Sequence, residues 1–319
     1  MYYASGSVIS RRALTVFLIL ALAACSTTPP AGEDVGGPVG GPSGPNPAAA
    51  EIGPEGPPTA ASTTIPTKAG PKRTIKTARP ETLITIAAVG DMMIGTDYPE
   101  NHLPDDDGVS FLAHVTPILS SVDLAVGNLE GALVDGGEPR KQCKNLSACF
   151  LFRSPTRYAQ HYRNAGFDAL SVANNHARDF GEEGRTETMQ ALDAVGIHHS
   201  GREGEFASFE VKGLSVAFLA YAVTRNSNLL HDYELAARTV ASFAASHDIV
   251  IVTFHGGAEG ASMMHVPFAE EEYYGEPRGD VARFSRSMVD AGADLVLCLL
   301  YTSPSPRDIS AYLVCRLLL

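Results

Sequence analysis

Four short, almost charge-free runs in this chain each stop at a polar cluster, and that repetition leaves few folds open. The runs are 83–89, 124–126, 169–172 and 249–254. They give way to Gly90-Asp91, Gly127-Asn128-Leu129-Glu130, Asn174-Asn175-His176 and His255-Gly256-Gly257. Short runs rich in β-branched residues suit strands buried on both faces of an α/β sheet. Stretches with helical patterning, 110–120, 156–165, 181–195, 233–245 and 280–291, lie between and after these strands, and residues 293–297 read as one more strand. Alternation of this kind predicts an α/β architecture rather than an all-α or all-β one.

In open α/β sheets, ligands collect at the carboxyl ends of strands. Asp, Glu, Asn and His supply the oxygen and nitrogen donors that Mn, Zn, Fe or Mg accept. Convergence of the four clusters would therefore build a cage for a divalent metal. One such cluster alone would mean little, because Gly-Asp is also ordinary turn chemistry.

The ends of the chain read differently from its middle. Residues 1–25 form a secretion signal, with Arg11 and Arg12 ahead of an apolar stretch from Ala13 to Ala24 that is too short for an ordinary membrane span. It closes on Leu22-Ala23-Ala24-Cys25, which resembles the bacterial lipoprotein cleavage box. Cys25 is then the lipidated first residue of an exported protein anchored to a membrane of the cell envelope. Residues 26–80 are Pro, Gly, Ala and Thr with few large apolar side chains, too little to offset the entropy of ordering, so a flexible tether is expected. Cys298 to Asp308 can be back-translated into the transposon adapter used in short-read library preparation. Residues 298–319 are accordingly read as an artefact that replaces the natural continuation. One domain remains, 81–297.

Removing Arg11 and Arg12 from the 24 basic residues leaves 22 against 36 acidic ones, a formal charge of −14. Binding to a phosphate backbone needs the opposite sign, so nucleic acid is excluded as a partner. Setting aside Cys25, Cys298 and Cys315 leaves Cys143 and Cys149, which flank five residues. In an oxidising compartment that pair reads as a local disulfide. A thiolate metal site would need a second cysteine pair or a nearby His.

Taken in order, Ala88-Val89-Gly90-Asp91, Gly127-Asn128-Leu129-Glu130-Gly131, Ala173-Asn174-Asn175-His176-Ala177 with Asp179-Phe180-Gly181, and His255-Gly256-Gly257-Ala258-Glu259 resemble the capsule synthesis protein CapA family, linked to poly-γ-glutamate capsules. That family is in turn similar to the calcineurin-like metallophosphoesterases. The resemblance implies a metallophosphatase-like two-sheet sandwich flanked by helices, incomplete here at its C-terminus. It also implies metal ligands at Asp91, Asn128, Glu130, Asn175 and His255, with His176 as the catalytic proton donor or acceptor. Departures from the pattern are plain: Met93 stands where the phosphoesterases carry His, and Asn128 stands where they carry a bridging Asp. Their final His-x-His loop would follow Leu297. Glu259, Asp179 and His265 are left outside the ligand set, His198-His199 read as surface histidines, and Tyr273-Tyr274 as packing.

Two functions follow from the resemblance. One is a lipid-anchored, metal-dependent hydrolase or transpeptidase-like enzyme, cleaving a phosphoester or a γ-glutamyl amide with metal-activated water and His176. The other is a non-catalytic assembly subunit that binds an anionic capsular polymer or a membrane synthase.

Overall fold

The computed structural model describes residues 82–141, 149–259, 263 and 266–299. The elements, in chain order, are β1 (Ile86–Met92), α1 (Thr116–Leu119), β2 (Leu124–Leu129), β3 (Ala132–Leu133), β4 (Arg153–Ser154), α2 (Ala159–Ala165), β5 (Ala169–Ser171) and α3 (Gly181–Ala194). They continue with β6 (His198–Ser200), β7 (Ala207–Val211), β8 (Leu214–Ala222), α4 (Tyr233–Ser246), β9 (Ile249–His255), β10 (Glu271–Tyr273), β11 (Glu276–Gly279), α5 (Val281–Ala291) and β12 (Leu295–Cys298).

Two four-stranded sheets carry the fold. The first, in order β1-β2-β5-β6, is parallel throughout. The second, β12-β9-β8-β7, is parallel except for β7, which runs antiparallel to β8. The strands alternate faces with a period of two. Ile86, Leu124, Val126, Val216, Phe218, Ile249, Ile251, Leu295 and Leu297 meet in a core between the sheets. The intervening residues turn outward under helices: Ala87 and Ala125 pack with Tyr158, Tyr162 and Leu192, while Ala217, Leu219, Val250 and Val252 pack with Val240, Phe284 and Met288. Both faces of each sheet are thus covered, and that is why the strands read as continuous apolar runs. Each large apolar side chain buried this way contributes about 1.5–3 kcal/mol. The expected α/β two-sheet sandwich flanked by helices is what forms.

The boundaries shift in informative ways. Pairing continues past the apolar runs, with Asp91 opposite Asn128 across a register shift that begins at Ala88. Gly90-Asp91 and Gly127-Asn128, expected to follow their strands, instead lie within the ends of β1 and β2, which run on to Met92 and Leu129. The helix expected over 110–120 forms only as the single turn α1. Upstream, Phe111 N bonds to Gly108 O and Ala113 N to Ser110 O, a run of i to i+3 turns. Pro117 cannot donate to Ala113 O, and its ring would clash there, so an α-helix cannot run through. The strand β8, which ends without a polar cluster, is not among those read from the sequence, yet it lies beside β9 along its length. The last described strand extends to Cys298, and Leu299 is buried in the inter-sheet core. Among the described residues, no helix is long and apolar enough to cross a membrane. The signal, Cys25, the linker, Cys143, His265 and residues 300–319 lie outside the described residues.

Candidate metal centre

The carboxyl ends of β1 and β2 in one sheet and β9 in the other meet at a single point. One carboxylate oxygen each from Asp91 and Glu130 and a ring nitrogen of His255 all lie within 4.8 Å of one another. His255 is 1 % exposed, and Glu130 lies just beyond Leu129, the last residue of β2. His255 Nδ1 is 3.5 Å from Asp91 Oδ1 and 3.8 Å from Glu130 Oε2.

Asn128 stands in the middle of this set. Its Nδ2 donates to Asp91 Oδ1 and Glu130 Oε2, each at 2.7 Å, and lies 3.4 Å from His255 Nδ1. Its Oδ1 is turned the other way, accepting from Asn174 Nδ2 at 3.1 Å. Asn174 is itself pinned, donating to Leu129 O and accepting from His176 N. Asn175 Oδ1 accepts from His255 Nε2 at 2.8 Å, which leaves Nδ1 directed at the carboxylates. A second group fixing the far nitrogen of an imidazole is the usual way a metal-binding His is held in orientation.

Burial pushes the Glu130 carboxyl above the ordinary carboxylate range, and the Asp91 charge adds to it, against the pull of His255 and His176. Burial also works against a charged His255, but the Glu130 charge and the Asp91 contact outweigh it, so the imidazole pKa is raised. Burial and the neighbouring charges thus favour the protonated forms of Glu130 and His255. Two carboxylate oxygens and an imidazole nitrogen are donors that Mn, Zn, Fe or Mg accept, and a cation would displace those protons, so the set fits a divalent metal.

His176 borders the cluster, with Nε2 3.9 Å from Glu130 Oε1. Its Nδ1 lies 2.7 Å from Asp179 Oδ2, and the ring packs on Phe152 at 4.2 Å between centroids. Asp179 is fully buried, and its Oδ2 also accepts from Phe152 N at 2.8 Å. Lys141 Nζ lies 3.1 Å from Asp179 Oδ1 and 3.2 Å from His176 Nδ1. On the other side the hairpin β10-β11 closes over the loop after β9. Gly257, at φ +93°, donates to Arg278 O, and a side chain at Gly256 would strike Leu230 and that same carbonyl.

All six residues read as ligands or catalyst, Asp91, Asn128, Glu130, Asn175, His176 and His255, thus come together in one place. Asp179, Lys141, Phe152 and Arg278 join them without having been assigned roles from sequence. For Asp179 the signal was present, since His176-x-x-Asp179 is an i, i+3 spacing able to form the contact. Lys141 and Phe152 come from a stretch without period or motif. Glu259, left outside the set, pairs with Arg278, and Tyr273 and Tyr274 lie against each other. Cys149 is described but Cys143 is not, so their pairing falls outside the described residues.

A family model described as bacterial capsule synthesis protein PGA_cap matches residues 85–299. The PGA biosynthesis protein CapA of Bacillus subtilis is 25% identical over 232 residues, covering 67% of this chain and 56% of that protein. The capsule biosynthesis protein CapA of Bacillus anthracis is 25% identical over 237 residues, covering 67% of this chain and 53% of its own length. The chain thus spans a little over half the length of these curated relatives. A crystal structure of a candidate 5′-nucleotidase from Staphylococcus aureus overlays with a TM-score of 0.39 at 16% identity, covering 67% of this chain and 44% of that one.

Proposed function

The chain belongs to the bacterial capsule synthesis protein family PGA_cap, and from that premise we propose that it is an exported, lipid-anchored, metal-dependent hydrolase acting on a γ-glutamyl polymer during capsule or polyglutamate synthesis. The observation that carries the reading is the meeting of Asp91, Glu130 and His255 within 4.8 Å, with His176 at its border. A divalent metal held by those three side chains would supply a coordinated water of lowered pKa and polarise the bond under attack.

The remaining chemistry belongs to the chain. Asp179 takes the Nδ1 side of His176, so Nε2, on the side of the Glu130 carboxylate, is the atom that gives or takes a proton. Phe152 covers one face of the ring and limits water there. Asn128 and Asn175 brace the carboxylates and His255 respectively. The polymer assignment is supported by the names of the Bacillus relatives, one of which is a PGA biosynthesis protein. Export, lipidation at Cys25 and a disulfide between Cys143 and Cys149 complete the proposal and are supported by the sequence signals alone.

A second reading, a non-catalytic assembly subunit that binds polymer or synthase, is favoured by two features of the site. Asn128, an amide, occupies the middle of the site, and Met93 stands where a further His would add a ligand. The two readings separate in an assay of the full-length natural protein, supplied with Mn and given poly-γ-glutamate and a phosphomonoester in parallel. Release of glutamate fragments that disappears in His176→Ala, with metal content unchanged, supports the hydrolase. Phosphate release alone moves the substrate class to phosphoesters, and no turnover on either leaves the assembly subunit.

A further inference from the structure

The loop that carries His176 runs directly into α3, and three arginines gather at that end of the helix around one carboxylate. Arg178 Nε lies 3.2 Å from Glu182 Oε1, and Arg202 Nε 3.8 Å from Glu182 Oε2. Arg185 reaches the same carboxylate through Nη2 and Nε. Arg202 also donates from Nη2 to Thr186 Oγ1 at 2.6 Å, and its Nη1 lies 3.6 Å from Glu205 Oε1. Three guanidiniums therefore face two carboxylates, and the cluster keeps a net positive charge within a strongly acidic chain.

Two further observations point to an anion as the ligand of this cluster. Arg185 is 1 % exposed, yet its Nη1 is buried without a hydrogen-bond partner, while Nε of Arg178 and of Arg202 is buried with only the charge contact to Glu182 and no hydrogen bond. Buried donors in native proteins are nearly always satisfied. The N-terminus of α3, a helix of 14 residues, has no side-chain cap, so its first-turn amides and helix dipole also favour an anion. Arg178 and Arg202 remain partly open to solvent, with side chains 39% and 25% exposed, so a ligand can reach the cluster. Planar guanidiniums bind carboxylates and phosphates through paired hydrogen bonds.

We propose that Arg178, Arg185 and Arg202 form an anion subsite that holds a carboxylate of an acidic chain across the start of α3. Arg178 is two residues from His176, so their Cα atoms are at most about 7 Å apart along the chain. A polymer seated on the arginines is thereby led to the metal centre. The choice of a polycarboxylate rests on the polyglutamate reading, whereas guanidiniums alone would accept phosphate as well.

The test uses the full-length protein and calorimetric titration with two probes, a γ-linked glutamate hexamer and inorganic phosphate. The hexamer binds saturably to wild type and at least tenfold more weakly to the Arg178→Gln, Arg202→Gln double variant. Because both substituted arginines are partly exposed, the double variant keeps its thermal midpoint. Arg185→Lys, which retains the charge but loses the fork, also weakens binding. Hexamer binding within twofold of wild type in the double variant overturns the subsite. So does the absence of hexamer binding to wild type, with or without phosphate binding. Hexamer binding that depends on the arginines, in a protein that cleaves no γ-glutamyl bond, keeps the subsite and removes the hydrolase reading.

Discussion

Replacing Asp179 with Asn changes one atom and should cost the fold measurably. The Asp179 carboxylate is fully buried and meets three groups outside its own residue: His176 Nδ1 at 2.7 Å and Phe152 N at 2.8 Å on Oδ2, and Lys141 Nζ at 3.1 Å from Oδ1. An amide has one oxygen. If that oxygen replaces Oδ2, the new NH2 confronts the Lys141 ammonium; if it turns toward Lys141, Phe152 N loses its acceptor. Either orientation strands one donor. The Phe152 N–H bond to the charged carboxylate contributes about 1.5–3 kcal/mol, whereas Lys141 makes an ion pair with Oδ1 and, with its side chain 25% exposed, recovers part of its loss from solvent. The expected destabilisation is about 2 kcal/mol, or roughly 4–8 °C in Tm for a domain of this size. Urea denaturation in the presence of a chelator measures it without interference from bound metal. Lys141→Met removes the opposing donor, so the double variant should be less destabilised than the sum of the singles by about 0.5–1 kcal/mol. An Asp179→Asn protein within about 0.5 kcal/mol of wild type, or strict additivity with Lys141→Met, would refute the argument that this carboxylate is the hub of the His176 support.

Three further perturbations test the scaffold. Gly201, at φ +146°, lies so close to the segment after β5 that an added Cβ would sit 2.5 Å from Ala173 N and 2.7 Å from Val172 C, so Gly201→Ala should cost about 2–4 kcal/mol in chemical denaturation and disturb the loop leading to Asn174. Phe284 is fully buried against Tyr221 and Phe254, with centroids 5.3 and 5.2 Å away, so Phe284→Ala should cost about 3–5 kcal/mol while leaving the metal centre intact. At the opposite end of the sheets Asp123 accepts from Thr85 N, Thr85 Oγ1 and Lys212 Nζ, and these contacts, working against its desolvation, hold its carboxyl below the ordinary value of 3.8. A depressed folded pKa means the stabilisation is present above pH 3.8 and disappears as pH falls through the folded value. The difference in urea midpoint between wild type and Asp123→Asn should therefore be full at pH 6 and narrow below about pH 4; a difference that does not change with pH counts against the assignment.

How much of this was legible depends on whether a residue's role is written locally. The strands that end in polar clusters announce both their buried pairing and their chemistry, because a parallel sheet covered on both faces must be apolar until it reaches the ligand edge. β8 makes the same buried ladder but ends in Ala-Tyr-Ala, so no cluster marked it. The expected helix over 110–120 was defeated by one residue, Pro117, whose lack of an N–H outweighs the apolar spacing around it. At the site, Asp91, Asn128, Glu130, Asn175, His176 and His255 stood in recognisable motifs. Asn128 could not be given an orientation from sequence, since which end of its amide faces the carboxylates is set by Asn174, 46 residues away. Lys141, Phe152 and Arg278 reach the site from segments with no periodicity, and only the folded chain brings them there.

Asp91, Glu130 and His255 form a candidate site for a divalent cation, and the proposed function depends on it. Calorimetric titration of Mn into chelator-stripped, full-length protein, beside Asp91→Asn and Glu130→Gln, tests that most directly. The predicted result is a saturable site in wild type whose affinity falls at least tenfold in each variant while the fold, followed by circular dichroism, is unchanged. Wild-type protein that binds no Mn, Zn, Fe or Mg, or variants that bind as tightly as wild type, would contradict it.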